Sequence, residues 1–512
     1  MNASPFSSTA IGITPVALAL ALATASLGLR FGTFAASGAD SYGYVSQADL
    51  WLEGRLIMEE PLADEASWRN ANWTLTPFGY RPGDDRGTMV PTYAPGLPMV
   101  MAVFKASGGA TAVFWVVPLL GGLSVWLTFL LGARIGGPSA GLLAAAALLA
   151  SPPFLFQLMW PMSDVPAMAW WLVAIVLAVR GTTVGLGAAG LAAALAVLTR
   201  PNLLVLAVPI LVFIATRSGT PRDRIRRAAL FTAAVLPGPI AVAAINQHLY
   251  GSALASGYGT FSNIYASRYV PANLANYTTW LLQTQTPFIF LGLAAPWVLR
   301  RRGPIDVRPI VRLGVGVAAL VALSYLAYTP FDHWTFLRFL LPAFPVMLAL
   351  ASAAFAALVP SARRPRAVAF AAVAIVLAGW GLWTGRAAFR VRAEEARYVA
   401  AGRFARELPE DAVILCNQHS GSLRYYANRI TMRFEWLEPE LYGEALDHFR
   451  RLGRPVFVVL DDWERDVFRA RYASVADLSW LDEPPLLVAA RRVYFYAVLP
   501  PAPRRAAAHA GL

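Results

Sequence analysis

The sequence predicts an all-α polytopic membrane domain of about eleven transmembrane helices, followed by a small α/β soluble domain at the C-terminus. Of the 512 residues, 57% are hydrophobic and 14% are charged, a balance that soluble domains do not approach. Many apolar runs approach the roughly 20 residues that a helix needs to cross a bilayer. The runs are 14–29, 112–131, 141–155, 203–215, 228–245, 288–299, 313–327, 339–358 and 367–382.

Polarity becomes mixed near residue 390, which predicts a membrane domain over 1–390 and a soluble domain with a flexible tail over 391–512. Strand-like and helix-like runs alternate in the second part, which is typical of a small α/β domain. The strand-like runs are 412–416, 455–460 and 493–499, and the helix-like stretches lie around 394–407, 440–451 and 464–473.

Arginines are concentrated in three short loops, at 217–227, 300–312 and 363–366. Such loops face the cytoplasm of a bacterial inner membrane. The N-terminus is then a cytoplasmic, uncleaved anchor, and the C-terminal domain lies on the outer, periplasmic side, as does a large first loop at 31–109. The segment 98–106 is short and follows a Pro-Gly turn, so we expect it to lie at the outer interface without crossing.

Charge and cysteine content exclude several classes of partner. The net charge of +13 does not indicate nucleic acid, because the arginines lie in loops where they fix orientation in the membrane. Cys416 is the single cysteine, which excludes an intramolecular disulfide and a cysteine cage for a metal. Membrane lipid is the expected surrounding partner.

Two acidic residues lie next to spans on the predicted outer side. Asp40 opens a short helix in the first loop, where it is either a helix cap or a general base. A carboxylate there can take the proton from a hydroxyl that attacks the anomeric carbon of a sugar. Asp164 in Ser163-Asp-Val-Pro166 either caps its own helix or orients the base, binds sugar hydroxyls or binds a metal.

Basic residues at the same face are candidate phosphate ligands. Arg200 lies in a short outer loop against the charge bias, and Arg338 occupies a similar edge, where contact with lipid headgroups is the alternative. Guanidinium groups bind phosphate bidentately, so this pair can hold a departing lipid phosphate. Lys105 and Arg268 are weaker candidates of the same kind.

Aromatic residues are candidates for substrate binding. Tyr42, Tyr44 and Tyr93 can form part of a sugar platform, although an interfacial belt is the alternative that aromatic residues at this level favour. His333 is a further substrate-binding candidate, but its position favours an interfacial or structural role.

Taken in order, five motifs resemble the membrane glycosyltransferases of the GT-C fold. Within that fold, they are similar to the dolichyl-phosphate-mannose-protein mannosyltransferase-like and rhizobial lipopolysaccharide glycosyltransferase-like group. The motifs are Asp40-Ser-Tyr with Gln47-Ala48, Tyr93-Ala-Pro-Gly-Leu-Pro98, Ser163-Asp-Val-Pro166, Thr199-Arg-Pro201 and Arg338-Phe-Leu-Leu-Pro342. The tail, with His419-Ser-Gly-Ser-Leu-Arg-Tyr-Tyr426, also resembles the periplasmic tail of bacterial members.

The resemblance implies a GT-C-like catalytic domain that transfers a sugar, with inversion, from a polyprenyl-phosphate donor to a lipid, glycan or protein acceptor. The outer-loop aspartate would be the base, and arginine or lysine would bind the lipid phosphate. Apart from this resemblance, the tail shows no complete active site, and acceptor docking is a candidate role for it. Many relatives carry Asp-Glu where this chain has Asp40-Ser41, which leaves a second carboxylate and a divalent metal open.

Three other functions fit part of the sequence. An oligosaccharide ligase or polymerase would use a polyprenyl-diphosphate donor, which the sequence does not separate from a monophosphate. A transporter or flippase needs polar groups along a mid-membrane path, whereas the candidates here gather at one face. A structural scaffold would leave Asp40 and Arg200 replaceable.

Overall fold

The protein, described over residues 8–360 and 362–499 by a computed structural model, forms two compact units. The membrane unit contains residues 8–34, 94–248 and 252–392. The loop–tail unit contains residues 35–93, 249–251 and 393–499, so most of the predicted first loop packs with the tail. The predicted flexible tail beyond residue 499 lies outside the described residues.

Six helices in the described part of the chain are long and apolar enough to cross a bilayer, and a bent pair of helices adds a seventh if it is one span. The six are Ile13–Phe31, Ala110–Gly136, Pro221–Tyr250, Ile305–Leu326, Trp334–Leu358 and Arg364–Thr384. The predicted multi-pass, mostly helical architecture is confirmed, but the predicted count of about eleven spans exceeds this number. Shorter apolar helices such as Thr183–Thr199 reach only about 25 Å, against a hydrocarbon core of about 30 Å.

Burial differs strongly among these helices within the membrane unit. For Trp334–Leu358, 94% of the apolar window is buried, compared with 17% for Arg364–Thr384. Trp334–Leu358 therefore lies at the centre of the membrane unit, and Arg364–Thr384 lies at its periphery. The remaining α-helices of this unit are Gly96–Gly108, Asp164–Arg180, Ala207–Ala215, Phe261–Ile264, Val270–Gln285 and Leu291–Arg302, with 3-10 turns at Pro201–Leu206, Ser267–Tyr269, Pro287–Phe290 and Arg386–Phe389.

The apolar run at 141–155 is not one straight helix. It forms Pro138–Leu149 and Pro152–Leu158, which are bent by 62° at the break. Ser151 is extended there (φ −67°, ψ 118°), because a proline disfavours helical geometry in the residue before it and has no N–H to donate.

The segment predicted to remain at the interface forms the 13-residue helix Gly96–Gly108. Its length of about 20 Å is too short to cross a bilayer core. This length agrees with the prediction that the segment does not span.

The loop–tail unit contains two sheets. The first-loop sheet is antiparallel in the order β1-β3-β2, and the tail sheet has the order β5-β4-β6-β8-β7 with β5, β4 and β6 parallel. The strands are β1 (Met58–Glu59), β2 (Tyr80–Pro82), β3 (Thr88–Pro91), β4 (Val413–Cys416), β5 (Ile430–Arg433), β6 (Val456–Asp461), β7 (Leu487–Ala489) and β8 (Val493–Leu499). The helices are Asp40–Leu52, Pro61–Glu65, Ala71–Leu75, Val391–Ala405, Ser420–Ala427, Tyr442–Arg451 and Glu464–Tyr472, with 3-10 turns at Pro439–Leu441 and Ser479–Leu481.

The mixed α/β character of the tail is confirmed, and the tail shares a hydrophobic core with the first loop. Strands β4 and β6 are buried at every position, as expected for parallel strands covered on both faces. The shared core includes Leu62, Trp68, Leu75, Phe434, Phe449 and Tyr472. Burial of such large apolar side chains stabilises the packing of the two segments against each other.

Candidate functional site

The membrane unit brings together the side chains of three motifs that are far apart in the sequence. Asp164 begins the helix Asp164–Arg180, Arg200 follows the helix Thr183–Thr199, and Arg338 lies in the 3-10 helix Trp334–Ala343. The Asp164 carboxylate is 1% exposed and forms ion pairs with both arginines. We call these three residues the Asp164 cluster.

Arg200 is held on several sides. It donates to Asp164 Oδ1, to Ser163 Oγ at 3.3 Å and to Tyr325 Oη at 3.4 Å. Its guanidinium also lies 5.8 Å from the ring centroid of Phe339, within cation–π range. Arg200 is therefore fixed in orientation.

Arg338 approaches the same carboxylate from the central helix. Its Nη1 atom lies 3.9 Å from Asp164 Oδ2 and 3.8 Å from Met162 Sδ, and its guanidinium lies over Phe336 and Phe339. Because this side chain is 20% exposed and packs inside the unit, its contacts differ from those of an arginine that extends to lipid headgroups.

The charges of the Asp164 cluster sum to +1, because two guanidinium groups share one carboxylate. A buried carboxylate between two cations keeps them close despite their repulsion and fixes their geometry. Such an arrangement is suited to binding an anion with fixed geometry, and guanidinium planes match the oxygens of phosphate. Asp164 is the third residue of this arrangement and not the cap of its helix: the N-cap is Ser163, which makes no side-chain capping bond.

Gly96, from a further motif, packs closely against the backbone of Leu198 and Thr199, the two residues before Arg200. A Cβ atom at Gly96 would lie 2.5 Å from Thr199 N and from Leu198 C, and 2.7 Å from Thr199 Oγ1. Real Cβ atoms do not approach other atoms so closely, so only glycine fits. The motif alone does not indicate this role for its glycine, because the contact joins residues about a hundred positions apart.

Asp40 lies in the loop–tail unit, at the first position of the helix Asp40–Leu52. Its side chain is partly exposed, and the N-cap of the helix is Ala39. Asp40 is therefore the first residue inside the helix and not its N-cap, so the alternative that Asp40 is the helix cap is not supported. A carboxylate in the first helical turn is still favoured there by the helix dipole.

The three candidate tyrosines are packing residues of the loop–tail unit. Tyr42, Tyr44 and Tyr93 are 2%, 6% and 7% exposed. The Tyr44 and Tyr93 rings are 4.8 Å apart, and burial raises the pKa of Tyr42 to about 12. These contacts favour a role in shaping the loop around Asp40 over a sugar platform.

The other three candidate residues, Lys105, Arg268 and His333, are described by their position and by contacts close to them in the sequence. Lys105 is partly buried in the last turn of Gly96–Gly108. Arg268 is exposed and bonds to Tyr269 Oη at 3.1 Å. His333 is exposed and accepts from Thr335 N at 3.4 Å, which caps the 3-10 helix Trp334–Ala343. This contact gives His333 a structural role.

A second buried polar group, which is not among the predicted site residues, lies at the carboxyl ends of β4 and β6. Glu464 is fully buried and accepts from the backbone N–H groups of Gln418 (3.1 Å) and Asp461 (2.9 Å). His419 Nε2 lies 3.2 Å from Asp461 Oδ1, and Arg397 Nε lies 3.3 Å from the same atom. The sequence does contain a signal for this group: polar residues follow both β4 and β6, and residues that follow two buried parallel strands meet at one sheet edge.

Burial sets the direction of the pKa shift for two groups of this tail network, Glu464 and His419. It raises the pKa of Glu464 to about 7 and lowers the pKa of His419. Burial alone would raise the pKa of Asp461, but the bond with His419 and the charge of Arg397 lower it. Among the described residues, no group of three or more His, Cys, Asp or Glu side chains is arranged to hold a metal ion.

Residues 91–250 match the family model described as dolichyl-phosphate-mannose-protein mannosyltransferase. The segment includes Asp164 and Arg200 but not Arg338. The structure of ArnT from Cupriavidus metallidurans bound to undecaprenyl phosphate has a TM-score of 0.60 and 15% identity, covering 95% of this chain and 97% of that one. The chain therefore has the fold of a membrane glycosyltransferase, and residues 91–250 match a glycosyltransferase family. The resemblance predicted from the motifs is thereby confirmed.

Two further structures share the fold of this chain. The Archaeoglobus fulgidus oligosaccharyltransferase tethered with an acceptor peptide has a TM-score of 0.53 and 12% identity, covering 92% of this chain and 72% of that one. Arabinofuranosyltransferase AftD from Mycobacteria has a TM-score of 0.53 and 16% identity, covering 98% of this chain and 42% of that one. No curated protein matches the sequence significantly.

Proposed function

We propose that this glycosyltransferase moves a sugar from a polyprenyl-phosphate donor to an acceptor in the cell envelope. The observation that carries the proposal is the Asp164 cluster, in which two arginines share one buried carboxylate. A lipid phosphate is the anion such a cluster suits in a membrane protein. The similar fold of ArnT, whose structure has undecaprenyl phosphate bound, supports this choice of donor.

In the proposed reaction, the acceptor hydroxyl attacks the anomeric carbon and the bond from that carbon to the phosphate oxygen breaks. The polyprenyl phosphate leaves with the electron pair, and configuration at the anomeric carbon inverts. Asp40 takes the proton of the acceptor hydroxyl as general base. Arg200 and Arg338 stabilise the charge that develops on the leaving phosphate.

Asp164 is proposed to act through the two arginines. It orients both guanidinium groups before the donor arrives, so less ordering is needed when the phosphate binds. The carboxylate is a positioning group in this account, while Asp40 is the base. Lys105 is a secondary phosphate candidate.

The proposed location is a bacterial inner membrane, with the N-terminus in the cytoplasm and the loop–tail unit in the periplasm. The arginine-rich loops at 217–227 and 300–312 support this orientation through the positive-inside rule. The acceptor would then be a lipid, glycan or protein of the envelope.

The test is transfer of radiolabelled sugar from matched panels of polyprenyl-monophosphate and polyprenyl-diphosphate sugars. Membranes containing the wild type, Asp40→Asn or Asp49→Asn would be compared, the last being an acid on the same helix as Asp40. Transfer from a monophosphate donor that Asp40→Asn abolishes and Asp49→Asn retains is expected. Transfer from diphosphate donors alone would favour an oligosaccharide ligase, and full activity of Asp40→Asn would remove the base assignment.

A further inference from the structure

One short helix of the tail contacts the first loop on both sides of Asp40. The helix Ser420–Ala427 overlaps the tail motif that begins at His419, and it lies in the loop–tail unit together with the loop. We infer that this helix positions Asp40 for the reaction. Its Tyr426 contacts Ala36, which precedes Asp40 in the chain, and its Gly421 contacts Tyr42, which follows Asp40. The inference rests on the proposed role of Asp40 as base.

The first contact holds the chain that leads into the Asp40 helix. The backbone N–H of Ala36 donates to Tyr426 Oη at 2.8 Å. Ala36 is fully buried and Tyr426 is partly buried, so water does not readily replace this acceptor. Gly38, which follows, has φ +53°, a conformation that only glycine adopts without strain. The segment between Ala36 and Asp40 is thus bent sharply and anchored at its start.

The second contact holds the first turn of the Asp40 helix from the other side. The ring of Tyr42 lies against Gly421 so closely that a Cβ atom on this glycine would be 2.1 Å from Tyr42 Cδ1. Tyr42 is two residues beyond Asp40 and 2% exposed. Its ring therefore fixes the rotation of the helix about its axis.

Two more residues of the same tail helix bind the loop farther away. Ser420 Oγ accepts from Phe78 N at 3.1 Å, and Arg424 donates to Glu60 Oε2 at 2.6 Å and to Leu75 O at 2.7 Å. The Arg424 and Glu60 side chains are 13% and 7% exposed. Contacts from four residues of one eight-residue helix leave the loop little freedom to move relative to it.

The consequence is that the tail acts on catalysis through the geometry of Asp40. This role differs from acceptor docking, because docking would act on acceptor affinity. A displaced base lowers kcat and leaves the KM for the donor unchanged. A reacting group displaced by 1 Å can cost roughly 100-fold in rate, so loss of one anchor is expected to lower kcat by about 10-fold.

The decisive variant is Tyr426→Phe, which removes only the hydroxyl that accepts from Ala36. Its matched control is Tyr494→Phe on β8, whose ring packs against Arg465 within the tail. A second pair is Gly421→Ala with its control Gly443→Ala. At Gly443 no described atom lies within 4 Å of the added Cβ. Purified full-length protein would be used for steady-state kinetics and for hydrogen exchange of the backbone amides at 36–44.

In Tyr426→Phe we expect the Ala36 amide to exchange roughly 2- to 10-fold faster, the factor that the net worth of one hydrogen bond gives. The kcat should fall, the donor KM should stay constant, and both control variants should behave as wild type. Wild-type exchange in Tyr426→Phe, or faster exchange with unchanged kcat, overturns the inference while the proposed function stands. Full kcat in Asp40→Asn removes the base assignment and the inference with it.

Discussion

Arg200 donates a hydrogen bond to the carboxylate of Asp164, and the two side chains are only 11% and 1% exposed. Arg338 completes the group from the most deeply buried span. Breaking a buried ion pair by removing one partner is costly, because the remaining charge stays out of water. This relationship makes the cluster a test case for stability as well as for donor binding.

Asp164→Asn keeps the shape of the side chain but removes the charge that holds the two arginines together. We expect a loss of about 3–5 kcal/mol of stability, since an uncompensated buried charge remains. Thermal unfolding of the detergent-solubilised protein measures this loss. The control is Asp306→Asn, which breaks an exposed pair with Arg134 and should cost about 0–1 kcal/mol. Equal melting temperatures for the two variants would contradict the buried-pair account.

Gly96→Ala should displace the backbone that carries Arg200, because the added Cβ meets Thr199 at 2.5 Å. Overpacking of this kind costs about 1–3 kcal/mol, and transfer activity should fall more than stability does. Gly379→Ala is the matched control, since no described atom lies within 4 Å of its Cβ and alanine is the better helix former. Wild-type activity in Gly96→Ala would show that Arg200 does not depend on this contact.

Glu464→Gln should change how stability depends on pH. Burial raises the pKa of Glu464 from 4.5 to about 7, so the folded state binds more protons than the unfolded state between these values. Its contribution to stability is therefore lost as pH rises from about 4.5 to about 7, by about 3 kcal/mol in total. Asp461, Arg397 and Cys416 face the same region.

The measurement for Glu464 is the melting temperature of wild type and variant from pH 5 to pH 8. The difference between them should shrink as pH rises, because only the wild type loses this contribution. His419 acts with the opposite sign: its lowered pKa makes stability fall as pH drops below about 6.5 in both proteins. A difference that is constant with pH would contradict the raised pKa of Glu464.

The proposed orientation can be tested with cysteines, because the natural Cys416 is buried. Ser474→Cys, exposed in the tail, should react with a membrane-impermeant maleimide in intact spheroplasts. Ser218→Cys, exposed in an arginine-rich loop, should react only after the membrane is opened. The reverse pattern would invert the topology and place the loop–tail unit in the cytoplasm.

The sequence predicted the membrane class and the tail strands β4, β6 and β8, because long apolar runs and alternating polarity are local signals. It missed β5 and β7, which have four and three residues and form no distinctive run. It also overcounted spans. The break at Ser151 and the 17-residue length of Thr183–Thr199 depend on where helices begin and end, which composition alone does not define.

For the site, the motifs identified Asp164, Arg200 and Arg338 as separate candidates, but their shared ion pairs depend on helix packing. The same holds for the contact of Gly96 with Thr199 and for the core that joins Trp68 to Phe449. Interactions between residues on different helices or in different units of sequence leave no pattern in a single sequence. What the residue types did indicate was the chemistry: guanidinium groups at one membrane face suggested phosphate before any distance was known.

The most direct test of the central claim is the affinity of the protein for undecaprenyl phosphate. Binding would be measured for wild type, Arg200→Ala, Arg338→Ala and the control Arg300→Ala, an exposed arginine of a predicted cytoplasmic loop. Loss of a charged hydrogen bond of about 1.5–3 kcal/mol predicts a Kd raised roughly 10- to 100-fold in the first two variants and an unchanged Kd in the control. Wild-type affinity in both Arg200→Ala and Arg338→Ala would contradict the claim that this pair holds the lipid phosphate.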